Sequence, residues 1–211
     1  MKITKFGHCC LLIEQSGFRI LTDPGSYSTL QNEVKNIDLV LITHEHGDHL
    51  HIDSLKTVFQ NNPQAKIVTN NGVGVLLKKE GISYELLDDG KSNNYKGVFI
   101  EAFGKEHAEI YRTWKKVENT SYFIGKKFFY PGDAFLNPNR DIGILALPVA
   151  GPWLKLSESI DYALLMKPKK CFPVHDANLK AYSSHHNIPA AILPQNGIEF
   201  IIPEIGKECE F

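Results

Sequence analysis

Short apolar, β-branched and aromatic runs recur along the 211-residue chain, and Gly, Pro, Asn and Asp separate them. Runs of this length and composition between turn formers predict strands. They cover residues 3–13, 18–21, 37–43, 66–69, 98–103, 121–130, 142–149, 171–174, 191–193 and 198–202. Helical spacing is rarer. Leu55, Val58 and Phe59 share one face over residues 53–60, and residues 73–80 end at Gly81. The strongest pattern spans residues 157–167, where Ser157 suits the N-cap, Ile160, Ala163 and Leu164 form a face, and Pro168 stops the helix. Strands and helices alternate without a repeat, a low-complexity tract or a linker, so one domain over 1–211 is expected. The class is α/β (α+β), and a sandwich of sheets flanked by helices fits it.

Composition narrows this picture. Hydrophobic residues make up 43% and charged residues 22%, enough for a sizeable core under a solvated surface. The formal net charge is −1 and the pI is near 6.7. That balance opposes a protein gripping nucleic acid through bulk charge. The basic clusters at 115–116, 126–127 and 167–170 read as solvated faces. No apolar run approaches the roughly 18 residues of a membrane span, and the N-terminal run is too brief for a secretory signal. A soluble protein of the cytoplasm is expected. Cys9, Cys10, Cys171 and Cys209 show no CxxC spacing and read as free thiols. Cys9 and Cys10 lie in a strand-like run, with side chains on opposite faces.

The chemistry lies where the apolar runs end. The run 38–43 leads into His44, the run 98–103 leads to His107, the run ending at Tyr130 leads to Asp133, and 171–174 leads to His175. Strands that deliver polar side chains onto loops commonly build a site. The densest cluster is His44-Glu45-His46-Gly47-Asp48-His49, with three of the nine histidines in six residues. His44 and His46, two apart on an extended chain, can share one metal; Gly47 permits a turn, and Asp48 and His49 are offered to a second. Imidazole and carboxylate suit zinc, manganese or iron. The spacing is not that of HExxH, because position 48 is Asp. His175 competes with His185 and His186 for a late ligand position; a strand delivers His175, whereas the other two sit in a polar, helical stretch.

These motifs resemble the metallo-β-lactamase fold superfamily, whose signature H-x-H-x-D-H stands here as His44 to His49. Leu21-Thr22-Asp23-Pro24, His107, Tyr130-Pro131-Gly132-Asp133 and Phe172-Pro173-Val174-His175 are similar to its other motifs and follow in its order. Leu147-Pro148-Val149-Ala150-Gly151, followed by a helix, looks most like the ascorbate-6-phosphate-lactonase-like group. The resemblance implies an αβ/βα four-layer sandwich of two mixed sheets, with the site on one edge. It implies that His44, His46 and His107 bind one divalent ion and Asp48, His49 and His175 a second. Asp133 would bridge them and Asp23 would stand behind the ligands. Leu50 follows His49 without a Gly-Gly pair, which disfavours a thioesterase of the glyoxalase II type. His46 disfavours the diiron redox relatives, which carry Glu there.

The implied enzyme is a metal-dependent hydrolase with two ions, Zn²⁺ first and Mn²⁺ or Fe²⁺ as alternatives. A water shared by the ions attacks, and Asp48 protonates the leaving oxygen. The metals leave the cluster net positive, which favours a small anionic ester, lactone or phosphoester. The competing readings are a phosphodiesterase or nuclease with the same metals, a redox protein, and a metal-binding module without activity. A homo-oligomer is compatible with the sequence. His8 and His51 read as incidental or supporting residues. Tyr111, Arg112, Trp114 and Trp153 are candidates for the substrate entrance.

Overall fold

The computed structural model describes residues 1–211. The chain runs β1 (Lys2–Gly7), β2 (Cys10–Gln15), β3 (Phe18–Thr22), β4 (Leu39–Leu41), α1 (Ile52–Asn61), β5 (Lys66–Thr69), α2 (Asn71–Lys79), β6 (Glu85–Leu86), β7 (Ser92–Tyr95) and β8 (Val98–Phe103). It continues through β9 (Ser121–Ile124), β10 (Phe128–Tyr130), β11 (Ile144–Pro148), α3 (Leu156–Met166), β12 (Lys170–Val174), α4 (Ser183–Ile192), β13 (Glu199–Phe200) and β14 (Glu208–Glu210). No helix is long and apolar enough to cross a membrane.

Two seven-stranded mixed sheets form, ordered β14-β1-β2-β3-β4-β5-β6 and β13-β12-β11-β10-β9-β8-β7. Both inner faces bury large side chains against each other. Ile13, Ile20, Leu39 and Leu41 from the first sheet meet Ile100, Tyr122, Phe128 and Phe172 from the second. The outer faces are covered too. Leu55 and Val58 of α1 and Leu77 of α2 pack on Val40 and Ile67, while Ile160 and Ala163 of α3 pack on Phe129 and Leu145. These are the four layers the resemblance implies. Truncating an inner-face aromatic such as Phe128 to alanine would cost about 3–5 kcal/mol.

Strand direction explains why one edge carries the chemistry. β8 is antiparallel to β9, β9 is antiparallel to β10, and β10, β11 and β12 are mutually parallel neighbours. β8, β10 and β12 therefore end on the same side and deliver His107, Asp133 and His175 there. β3 and β4 are parallel, so Asp23 and His44 leave the other sheet together. β2 is antiparallel to β3, which puts the β1–β2 turn, with His8 and Cys9, at that end as well.

Several expected elements change. The run 3–13 is two strands broken at His8-Cys9, and 121–130 is a hairpin turning at Gly125-Lys126, both with positive φ. Cys9 sits in the first turn and not in a strand, yet Cys9 and Cys10 do join opposite cores. Residues 191–193 close α4 instead of forming a strand, since backbone hydrogen bonds run helically through Leu193 to Pro189. Helix α3 starts at Leu156, and the Lys155 amide donates to Glu158 Oε2 at 2.7 Å, so Ser157 lies inside the first turn. The unexpected strands β6, β7 and β14 are short, and β7 and β14 are largely polar. Each lies at or near a sheet edge, where no apolar alternation is required.

Candidate metal centre

The loop after β4 holds His44 to His49 under the first sheet's edge. His49 and Leu50 amides both donate to the His46 carbonyl, which winds the loop into a turn. Gly47 lies in this turn, as the sequence leads one to expect, but without a positive φ. The glycine that matters is Gly25. A Cβ there would lie 1.7 Å from the Asp48 carbonyl oxygen, so only glycine lets the Asp23–Gly25 turn pack against the loop. His8, Asp23 and His175 adopt positive φ of 45°, 36° and 60°. Such conformations cost non-glycine residues about 1–3 kcal/mol each and persist where the surroundings enforce them.

The structure brings all seven expected ligands together in two clusters. His44, His46 and His107 have ligand atoms within 4.8 Å of one another. Asp48, His49 and His175 form the second cluster within the same limit, and His8 joins it. Asp133 lies between them. Its Oδ1 is 3.1 Å from His49 Nε2, and its Oδ2 is 2.9 Å from His175 Nε2 and 3.3 Å from His107 Nε2. His185 and His186 stay outside. His186 instead bonds Asp176 at 2.8 Å, and Asp176 is paired with the buried Lys5 at 2.7 Å. His51 accepts from the Ser54 amide at the start of α1 and takes no part.

A second set of partners fixes the rings. Asp23 accepts from His49 Nδ1 at 2.7 Å, from the Thr43 amide at 2.8 Å and from the Thr43 hydroxyl at 2.7 Å. The Tyr130 hydroxyl lies 2.6 Å from the same carboxylate. With its own proton on Asp23, Thr43 Oγ1 accepts from His44 Nδ1 at 3.0 Å. His107 Nδ1 donates to the Ala108 carbonyl at 2.6 Å. In each case Nδ1 is engaged outward and Nε2 faces inward, the orientation metal-ligating histidines require. Asn119 fixes the turn that delivers Asp133, accepting from the Asp133 amide and donating to the Pro131 carbonyl. The Trp153 indole donates to Asp133 Oδ2 at 2.7 Å.

Electrostatics follow from burial and crowding. Burial presses His44 well below the usual imidazole range, and neighbouring imidazoles add to it; His46 is lowered for the same first reason. Burial takes His8 down to about 4 against the opposing bond to Asp48. Burial opposes the charge on Asp133, yet His49 and His175 overcome it and hold the carboxyl well below its usual range. Asp48 is lowered likewise, where burial is outweighed by the His8 bond and by His49. His49 is raised well above the ordinary value, because Asp133, Cys9 and Asp23 outweigh its burial. Burial pushes the Cys9 thiol up to about 11, which keeps it neutral.

The donor set fits divalent metal on one observation. His49 Nε2, His107 Nε2, both His175 ring nitrogens and Asp133 Oδ1 are buried without a hydrogen-bond partner. Orphaned buried polar atoms are costly, and all of these except His175 Nδ1 gather around Asp133. A cation between them removes the cost.

Sequence reasoning left His8 as either incidental or supporting, and the contacts decide for support: its Nε2 lies 3.1 Å from Asp48 Oδ2 and its Nδ1 accepts from the Ala177 amide. A signal existed: a histidine interrupting an apolar run at a ligand-bearing edge. Thr43, Tyr130 and Asn119 gave no such signal.

A family model for the beta-lactamase superfamily domain matches residues 2–175. The chain is 33% identical to Protein Rv0786c of Mycobacterium tuberculosis over 84% of each chain. It is 26% identical to the UPF0173 metal-dependent hydrolase Ta0764 of Thermoplasma acidophilum, over 100% of this chain and 98% of that one. Its fold is similar to that of Igni18, a metallo hydrolase from Ignicoccus hospitalis. The TM-score is 0.79 at 22% identity, covering 100% of this chain and 98% of the other.

Proposed function

The chain belongs to the beta-lactamase superfamily and has its metallo-β-lactamase fold; from that premise we propose a metal-dependent hydrolase with a two-metal centre acting on a small anionic ester, lactone or phosphoester. The observation that carries the reading is the set of orphaned buried atoms around Asp133. His44, His46 and His107 would hold one ion and Asp48, His49 and His175 the other, with Asp133 shared. The imidazole–carboxylate set suits Zn²⁺ best, and Mn²⁺ or Fe²⁺ next. When bound, such a pair supplies an activated water and a Lewis-acid grip on the scissile bond.

The chain's own groups do the rest. Asp23 and Thr43 fix Nδ1 of His49 and His44 as the outward-bonded nitrogen, so Nε2 is the one a metal would take. Asp48 is the one carboxylate of the centre with substantial exposure to the cavity, 23% against 3% for Asp133 and none for Asp23. It stands as an anion at neutral pH and is placed to take a proton from water and return it to the leaving oxygen. His8 Nε2, whose ring accepts the Ala177 amide on the other side, donates to Asp48 Oδ2 and holds that carboxylate toward His175.

Metal analysis coupled to a hydrolase panel tests this. Close to two metals per chain are expected, with loss of metal and activity in His46→Ala and Asp133→Ala. Full activity in both variants would overturn the proposal.

A further inference from the structure

The cavity over the metal centre, about 320 Å³, has an uneven lining. Its floor is His46, Asp48, His107, Asp133 and His175, and its walls are Ile110, Trp114, Pro152 and Trp153. No lysine, arginine, serine or threonine lines it. The loop that brings Ile110 and Trp114 carries four cations, Lys105, Arg112, Lys115 and Lys116, but none contributes to the wall. Lys115 turns to Glu45 at 3.9 Å, Lys116 to Glu106 at 3.6 Å, and Arg112 is exposed.

The two tryptophans differ in a way that defines a slot. Trp153 is buried, anchored by its bond to Asp133, and packed edge-on against His107, His175 and Phe135. Its seat depends on Gly151, at φ +150°, where a Cβ would come within 3.0 Å of the indole nitrogen and 3.2 Å of His175. Trp114 is 64% exposed and lines the same cavity. A fixed aromatic wall and an exposed one beside a polar floor leave room for a ligand with one polar end.

We infer that the substrate is an ester or lactone with a flat apolar acyl or aryl part. Its only charged or strongly polar group faces the metal-ligand floor, and its apolar part lies between Trp153 and Trp114. This rests on the hydrolase reading for the reaction but not for the apolar slot. A sugar phosphate would place a second charge and several hydroxyls against Ile110, Pro152 and the tryptophans, where nothing satisfies them.

Calorimetric titration separates the two levels. On metal-loaded protein, 2-naphthylacetate is expected to bind at least about tenfold tighter than acetate, from the apolar area removed from water. Glucose 6-phosphate is expected to bind no tighter than inorganic phosphate. Trp114→Ala should weaken 2-naphthylacetate about tenfold and leave acetate unchanged, whereas Arg112→Ala should change neither. Neutral 2-naphthylmethanol on chelator-treated protein tests the slot without metal, and its affinity should fall equally in Trp114→Ala. Equal affinities for acetate and 2-naphthylacetate would overturn the inference, as would a larger loss in Arg112→Ala than in Trp114→Ala. If metal analysis fails while 2-naphthylmethanol still binds through Trp114, the hydrolase reading falls and the apolar slot stands.

Discussion

The two ligand clusters are built from similar residues and held by different means. His44, His46 and His107 are three imidazoles with no carboxylate of their own, and burial lowers His44 well below the usual imidazole range and His46 in the same direction. The second cluster has a partly exposed carboxylate, Asp48, tied to a further histidine, His8. The first position is therefore built of imidazoles alone, while the second carries a charged carboxylate; both reach the cavity floor, through His46 and His107 on one side and Asp48 and His175 on the other. For the two-ion centre proposed above, the difference assigns proton handling to the cluster that holds Asp48. Asp23 supports both clusters, directly through His49 and by way of Thr43 through His44. His8 supports only one.

That asymmetry can be broken in graded steps. Asp23→Asn removes the acceptor common to both clusters. Metal affinity should fall about 10–100-fold at both positions, which chelator competition would measure; loss at only one would contradict the shared role. His8→Ala should act on the second position alone, giving protein that keeps one tightly held ion and loses the other on dialysis, as stoichiometry would read.

Acid should weaken the metal-stripped protein. His8 at about 4, with His44 and His46 also lowered by burial, bind fewer protons folded than unfolded. Stability then rises with pH across the window from about 4 to the unfolded value of about 6.5. His49, raised, has the opposite sign; its contribution is full below about 6.5 and lost as pH rises through its folded pKa. Three groups against one predict a melting temperature that falls between pH 6.5 and pH 4. Below that, Asp48 and Asp133, both depressed, lose their contribution as pH falls through their folded pKa values. A flat profile would mean that the two sets cancel. The smallest effect is expected from Trp153→Phe, which keeps the wall and removes the N–H to Asp133. Metal affinity should fall less than about tenfold, under about 1.4 kcal/mol, in the same chelator competition.

Much of this centre was legible because its ligands end strands. Periodicity located the runs, and each ligand followed one, so His44, His107, Asp133 and His175 stood out without coordinates. The supporting residues did not. Thr43 ends an apolar run just past β4 and Tyr130 ends β10, so both look like core, and their hydroxyls matter only because Asp23 arrives from the end of another strand. Trp153 lies in a Gly-Pro-Trp turn whose target, Asp133, is 20 residues away. Gly47 looked like the glycine the loop needed, yet the close approach falls on Gly25, a contact between segments that no spacing encodes.

By itself the sequence determined which side chains could bind metal, the alternation of strands and helices, and the absence of a strong charge bias. These follow from residue chemistry and from periods along one chain. Only the tertiary structure decided that five strand ends and one turn share an edge, because strand direction depends on pairing between distant segments. It alone decided that His8 belongs to the second cluster and that the cavity walls are aromatic. Those facts depend on which surfaces meet across two sheets, and a linear pattern carries no record of that meeting.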